Sequence, residues 1–530
     1  MTKIAEKIIL AAIKKRPADA EQFNDLKRRV LRLAQTHENF PDTAELLKAY
    51  HKLMRENKIR KNHKLERLLV KRAVRTLSGV SIITVLTKPY ACPGACVYCP
   101  SEKSMPKSYI SDEPAAARAF LLHFDPFKQV GARMAALEKN GHPTDKIELI
   151  VKGGTWNAYP LAYQYWFILR CFEAANGDRA SKQKNITTKI NDLRKKILSA
   201  QKKNEKAKHR IVGLTLETRP DFINEKNIFT MRELGCTRVE LGVQTIDDEI
   251  LQLIKRGHNA AESARAAKLL KNFGLKVDFH LMPQLPGTTP AKDKKMMTEI
   301  FDNPAYRPDM IKIYPCTVVK KSSLYKWVKS GRFKPYSDKK LIDLLINFKT
   351  IVPRYVRISR LIRDIPGHHI VAGNTKTNLR QIIQAEMSRR GLRCNCLRCR
   401  EVGHANVILS QPKLFIDKYL ASGGTEYFLS FEDAKRRVVY AFCRLRVSKD
   451  GFYPAFIREL HTYGQSLEIG AKQAGASQHK GLGVKLIHKA ERIAANSGAE
   501  KIAVISGVGV RGYYRKLGYN LEDSYMVKKM

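Results

Sequence analysis

Acidic residues are in short supply in this chain: 50 Asp plus Glu stand against 97 Lys plus Arg in 530 residues, a formal net charge of +47. An excess of that size points to a polyanionic partner, nucleic acid first. A cationic surface without a specific partner, or a lysine-rich adaptation, is the plainer alternative. Long apolar runs are missing as well. No stretch approaches the roughly 20 uninterrupted apolar residues of a membrane span, and the opening MTKIAEKIILAAIKKR is interrupted by Glu6 and several lysines. The expectation is a cytoplasmic protein with no membrane partner. Cysteine is sparse outside two tight groups: Cys92, Cys96, Cys99 and Cys394, Cys396, Cys399 hold six of the ten, while Cys171, Cys236, Cys316 and Cys443 are scattered. In a reducing compartment such groups suggest metal ligands rather than disulfides, and lone cysteines read as small buried apolar residues.

The length allows two to four domains. Residues 1 to about 75 read as basic helices, with apolar spacing at Ile9, Leu10, Ile13 and at Leu46, Leu47, Tyr50, Leu53. The run between Arg55 and Arg75 suits phosphate contacts or a solvated helix face. From 76 to 360 strand-like runs (SIITVL, KIELIVKGGT, RIVGLTLET, RVELGVQ, KVDFHLMP, MIKIYPC) alternate with helical ones, the first of these near 115–139. That rhythm predicts an α/β fold with a parallel sheet closed or partly closed into a (β/α) barrel. Thr155, Glu217, Gln244, His280 and Tyr314 fall at strand C-termini, where such barrels carry their active sites. A cationic stretch without aromatics at about 180–210 reads as a helical or partly disordered insertion, either a nucleic-acid contact or an inert loop. Residues 361–405 contain the second cysteine group, and 406–530 read as a separate α+β domain.

Cys92-x3-Cys96-x2-Cys99 lies in the loop ACPGACVYCPS just after SIITVL. Three thiolates at that spacing can hold three irons of a [4Fe–4S] cube and leave the fourth open to chelate S-adenosylmethionine and pass it an electron. A structural zinc is the alternative, but zinc usually takes four ligands and no His or Cys follows nearby. With Tyr98 between the last two cysteines, the motif resembles the radical SAM superfamily, and Lys152-Gly-Gly-Thr155 looks like the stretch that meets the methionine end of the cofactor in that family.

Farther on, Gln478-x2-Gly481-x-Gly483 opens a helical run, a loop type whose backbone N–H groups and dipole suit a pyrophosphate; a glycine turn into an ordinary helix is the alternative. With RELHTYG before it, KIAVIS after it and then YYRKLGY, this region looks like a GNAT-type acetyltransferase. A radical SAM barrel and a GNAT-type domain in one chain resemble the Elongator catalytic subunit family (Elongator protein three). The resemblance is carried by GLTLETRPDF (213–222), GCTRVELGVQT (235–245), NPAYRPDMIKIYP (303–315), RELHTYG (458–464) and KIAVISGVGVRGYYRKLGY (501–519).

The resemblance implies a tRNA-modifying acyltransferase that forms 5-carboxymethyluridine at the wobble position of an anticodon stem-loop, with acetyl-CoA as carbon donor. A hydrogen is taken from the acetyl methyl, the carbon adds to carbon 5 of uracil, an electron and a proton are lost, and water enters only to open the thioester. It implies Cys92, Cys96 and Cys99 on the cluster, with acetyl-CoA against Lys146, Glu459, Leu460, His461, Thr462, Gln478, Gly481, Leu482, Gly483, Val484 and Tyr514. Tyr513 and Tyr514 position the thioester, transfer protons, or pack. Cys394, Cys396 and Cys399 suit a structural zinc with His404 as the nearest fourth ligand. Eukaryotic relatives lack most of these cysteines, which indicates the stand-alone archaeal or bacterial form, free of Elongator accessory subunits, with an electron donor of unknown identity and a possible homodimer. The rival reading is a protein lysine acetyltransferase acting on histone-like tails; the cationic surface, which repels such tails, stands against it.

Overall fold

The computed structural model describes residues 2–34, 40–70, 76, 78–179, 189–404, 411–463 and 481–530. Seven parallel strands build the first sheet: β1 (Ser81–Leu86), β2 (Lys146–Lys152), β3 (Arg210–Thr218), β4 (Arg238–Gln244), β5 (Lys276–Leu281), β6 (Met310–Ile313) and, beyond a two-residue strand β7 (Val318–Val319), β8 (Arg357–Arg360), hydrogen-bonded in that order. The order follows the chain, as right-handed crossovers to a neighbouring strand produce in an open barrel. A small antiparallel ladder joins β7 to β9 (Ile370–Ala372).

The strands are more polar than a parallel sheet covered on both faces requires. Every second side chain (Ile147, Leu149 and Val151 on β2; Val239, Leu241 and Val243 on β4; Val277, Phe279 and Leu281 on β5) enters the apolar layer under the helices. Their alternates, Lys146, Glu148, Arg238, Glu240, His280 and Lys312, face the barrel interior and line a cavity there. The period-2 geometry of a strand therefore separates packing residues from chemical ones.

Two helices, Pro114–Leu121 and Pro126–Lys139, occupy the stretch expected to be one. His123 and Phe124 adopt positive φ (52° and 54°), and Asp125 starts the second helix by accepting from the Lys128 N–H at 3.2 Å, with Pro126 at its first position. The stretch read as an insertion contains the helix Ile190–Asn204, which buries Leu193 and Ile197 beside the helix Leu161–Ala175. Residues 180–188 lie outside the described ones. The N-terminal helices Thr2–Lys15, Ala20–Leu33, Thr43–Arg55 and His63–Leu68 share a small core of their own around Ile8, Leu46, Tyr50 and Leu53. Leu10, expected on the apolar face, is exposed.

The second sheet has the order β10 (Lys413–Ala421), β11 (Gly424–Glu432), β12 (Val439–Val447), β13 (Ala455–Thr462), β14 (Lys501–Val504), β16 (Tyr525–Lys529), β15 (Asn520–Glu522), antiparallel except where β13 meets β14. It docks on the N-terminal ends of the barrel strands. Arg458 of β13, fully buried, donates to the Leu275 carbonyl at 3.0 Å and to Asp309 at 2.8 and 2.5 Å, and also meets Glu426 of β11 at 2.9 Å. Tyr525 donates to the Phe273 carbonyl at 2.9 Å, and a Cβ on Gly507 would stand 2.0 Å from the Val212 carbonyl oxygen. The apolar core crosses the joint, with Phe442, Phe456 and Tyr525 in one cluster with Leu275 and Val277.

Candidate active site

The loop after β1 carries the first cysteine group. It is pinned at Val97, whose N–H donates to the Ile254 carbonyl at 3.1 Å and whose carbonyl accepts from the Leu324 N–H at 2.8 Å. Arg256, buried, donates through Nε to the Gly242 carbonyl at 3.2 Å and through Nη1 to Cys96 Sγ at 3.5 Å. Contact with Cys99 and the nearby guanidinium pull the Cys96 thiol down to about 4 against the opposing effect of burial. Arg219 is held bidentately by Asp221, and its third nitrogen, Nη1, is buried without a partner among the described residues. A Cβ on Gly94, inside the loop, would fall 2.2 Å from that nitrogen.

The cysteine sulfurs and two buried guanidinium groups, one of them with an unpartnered nitrogen, form a cationic pocket, which fits an anionic iron–sulfur centre. Next to it, Gly153 and Gly154 have φ of 135° and 98°, and a Cβ on Gly153 would lie 1.8 Å from Thr87 Oγ1. Only glycine permits that approach, and it leaves the Gly154 backbone facing the cavity.

Beneath the loop, the barrel interior is a polar cage. Glu240, fully buried, pairs with Lys312, with Lys152 at 3.9 Å and with His280 Nε2 at 3.1 Å. The two lysine ammonium groups and the imidazole hydrogen bond hold its carboxyl well below the usual carboxylate range against the cost of burial. Glu217 accepts from Tyr109 at 3.0 Å and lies 3.6 Å from His280 Nδ1, and Tyr314 meets the imidazole edge-on with ring centres 5.4 Å apart. Thr155, Glu217, Gln244, His280 and Tyr314, expected at the strand C-termini, all line the cavity.

At the other end of the strands the cavity reaches the second sheet. β13 and β14 pair over only three positions, ending at Ile457 opposite Val504, so among the described residues β13 from Arg458 to Thr462 has no strand paired on that side. The helix Leu482–Asn496 aims its first turn into this opening, with Gly481 left-handed at φ 72° before it. Gly483 is close to the Tyr513 hydroxyl, which a Cβ would approach to 3.2 Å. Exposed N–H groups of a helix start beside a gap between splayed strands can receive a phosphorylated, amide-bearing chain.

Lys146, Glu459, Leu460, His461, Thr462, Gly481, Leu482, Gly483, Val484, Tyr513 and Tyr514 all border the same cavity as Cys92, Cys96 and Cys99. Gln478 lies outside the described residues. Burial lowers the Lys146 pKa, and His461 donates from Nε2 to the Ser78 carbonyl at 2.8 Å, just ahead of β1. Tyr514 packs in the core of the second domain, whereas Tyr513 is more than a third exposed. The cavity has a volume of about 1180 Å³ and, among the described residues, is lined by sixteen Lys and Arg side chains against seven Asp and Glu, a balance that favours anionic occupants.

The second cysteine group, Cys394, Cys396 and Cys399, brings its three sulfurs within 4.8 Å of one another, close enough to share one ion, with Lys349 Nζ at 3.7 Å from Cys399. The side chain of His404 lies outside the described ones. Sequence reasoning missed Arg219, Tyr109, Glu240, Arg256 and Lys312. The signal was present for Glu240 and Lys312, since a charge at every second place in a strand that must be buried marks a polar interior.

A model of the Radical SAM superfamily matches residues 86–300 and one of the Radical_SAM C-terminal domain matches 308–389. The chain is 44% identical over 551 residues to a tRNA uridine(34) acetyltransferase of Methanocaldococcus infernus, covering 99% of this chain and 98% of that one. It is 42% identical to a protein of the same name from Dehalococcoides mccartyi (87% and 100% covered) and 37% identical to human Elongator complex protein 3 (86% and 85% covered). The solved structure of the archaeal Methanocaldococcus infernus Elp3 with an N-terminal deletion superimposes with a TM-score of 0.74 at 44% identity, covering 86% of this chain and all of that one. The polar-lined parallel barrel, the cysteine loop and this likeness over nearly the whole length agree, and the chain belongs to the Elongator complex protein 3 family of radical SAM proteins.

Proposed function

We propose that this protein is an acyltransferase that builds a carboxymethyl group on carbon 5 of the wobble uridine of tRNA, from acetyl-CoA and S-adenosylmethionine. One observation carries the reading: the cysteine loop and the first turn of the helix Leu482–Asn496 open into one continuous cavity, so an acyl donor and a radical source would share one space. The names of the archaeal and bacterial relatives, which specify uridine 34 of tRNA, supply the substrate. Bound to Cys92, Cys96 and Cys99, a [4Fe–4S] cluster supplies the electron that cleaves S-adenosylmethionine and thereby the radical.

The remaining tasks fall to the chain. Arg219 and Arg256 hold the cysteine loop in a cationic setting, and the barrel walls flank the space in which a carbon radical would form. In this reading the second sheet is a GNAT-type domain: the edge of β13 (Glu459, Leu460, His461, Thr462) and the turn Gly481–Val484 hold acetyl-CoA, Gln478 extends that loop, Lys146 reaches it from the barrel, and Tyr513 and Tyr514 flank the thioester. Zinc on Cys394, Cys396 and Cys399 fixes the linker, and the domain limits follow the division at 75, 360 and 405. No described helix is long and apolar enough to cross a membrane, and the proposed partners are tRNA and an electron donor, met in the cytoplasm.

The test is mass spectrometry of wobble nucleosides after anaerobic incubation of the cluster-loaded protein with reductant, S-adenosylmethionine, acetyl-CoA and tRNA. 5-Carboxymethyluridine is expected; unmodified uridine together with acetylated lysine in added basic peptides would replace this reading with the acetyltransferase one.

A further inference from the structure

If the uridine-modifying reading holds, joining the acetyl carbon to the uracil leaves a thioester one carbon from the ring, and the ring must stand beside the cysteine loop to have reacted. Water has to attack that carbonyl there, inside the barrel mouth. The attack needs a base whose intrinsic pKa is near neutrality and whose lone pair faces the cavity.

Few side chains in that zone meet both demands. Glu240 is fully buried and neutralised by Lys312 and Lys152. Nearby anionic groups raise the Lys152 pKa above its ordinary value despite burial, so that amine keeps its proton. Glu217 is engaged by the Tyr109 hydroxyl at 3.0 Å, and a carboxylate is the weaker base.

His280 remains. Its Nε2 stands 3.1 Å from Glu240 Oε2, and since a carboxylate only accepts, Nε2 carries the hydrogen, which in the neutral ring leaves the lone pair on Nδ1. Glu217 is 3.6 Å from Nδ1, too far for a direct hydrogen bond, so in the neutral ring Nδ1 can accept from a water molecule in the cavity. A buried carboxylate behind an imidazole that faces a reacting carbonyl is the arrangement by which histidine becomes an oriented general base.

We infer that His280 is the catalytic base that opens the thioester joined to the uracil, within the barrel and not in the C-terminal domain. Nδ1 takes a proton from water as the oxygen bonds to the acyl carbon, and the Lys152 ammonium offsets the charge on the carbonyl oxygen. The carbon–sulfur bond then breaks, and the coenzyme thiolate takes the proton from the imidazolium. The products are the carboxylic acid, which ionises, and the free thiol; no oxidant or reductant is consumed.

The experiment separates this step from the radical chemistry. An anticodon stem-loop whose wobble uridine already bears the coenzyme A thioester of a 5-carboxymethyl group is mixed with unreduced full-length protein, and thiol release is followed. Wild-type protein is expected to release thiol. His280→Asn is expected to be at least about 100-fold slower while binding the same RNA with wild-type affinity, and His280→Gly to regain rate with added imidazole, a rescue that a packing role would not give. Wild-type rates in His280→Asn, no release by the wild type, or loss of release in His461→Asn with His280→Asn unaffected would each overturn the inference. Failure of the complete reaction to carboxymethylate plain tRNA would instead count against the uridine-modifying reading, because the preformed thioester does not depend on it.

Discussion

One methyl group on Gly153 would meet Thr87 Oγ1 at 1.8 Å on a backbone already at φ 135°. Gly153→Ala is therefore expected to cost on the order of 2 kcal/mol or more and to weaken S-adenosylmethionine binding, both readable by thermal denaturation with and without the ligand. Asp293 permits a signed pH prediction. Its carboxylate accepts from the Gln284 N–H and the Tyr336 hydroxyl, each at 2.8 Å, yet burial raises its pKa to about 6. The folded state thus keeps a proton that the unfolded chain releases near pH 4, so stability declines as pH rises from about 4 to about 6, by roughly 3 kcal/mol at 1.36 kcal/mol per unit. In Asp293→Asn that component of the pH profile of urea unfolding is expected to vanish; an unchanged profile would assign the titration to another group. At this scale legibility followed chain proximity. Cys92, Cys96 and Cys99 fall within eight consecutive positions and could be read from spacing, whereas Lys312 becomes a neighbour of Glu240, and Arg256 of Cys96, only once the chain is folded.

Elements were legible where burial is one-sided or complete. β1 to β6 appear where apolar runs predict them, but β8 escaped notice because Arg357 and Ser359 face the cavity and Ile358 alone joins the main core from that strand. β10 escaped for a related reason: as an edge strand it leaves Leu414, Ile416 and Leu420 exposed, so its pattern carries little contrast. The expected single helix at 115–139 conceals a break that Asp125-Pro126, an N-cap followed by proline, does announce. The joint between the sheets was not legible, because it rests on charges. Arg458 and Asp309 are fully buried, and Asp309 also accepts from the Val277 N–H at 2.9 Å. Removing the carboxylate in Asp309→Ala leaves a buried guanidinium short of a partner and is expected to cost about 3–5 kcal/mol in urea unfolding, with both sheets melting together.

For the whole molecule, the charge of +47 sets how any tRNA is met. Affinity is expected to fall linearly with salt on logarithmic axes, each phosphate contact contributing a slope of roughly 0.7 to 0.9. Replacing the exposed Arg60 and Lys61 by Ala is expected to reduce that slope by one to two, as a filter-binding series would show; an unchanged slope would place the RNA elsewhere. The buried joint has a further consequence, for inheritance. Arg458 takes its partners from both halves, Asp309 and the Leu275 carbonyl from one and Glu426 from the other, and Gly507 is moulded to the Val212 carbonyl. With such an interlock, exchanging one half for a distant homologue would leave ionised groups buried without partners, and releasing one half alone would bare the apolar surface around them. Substitutions at this contact are therefore expected to be tolerated only when both halves change together.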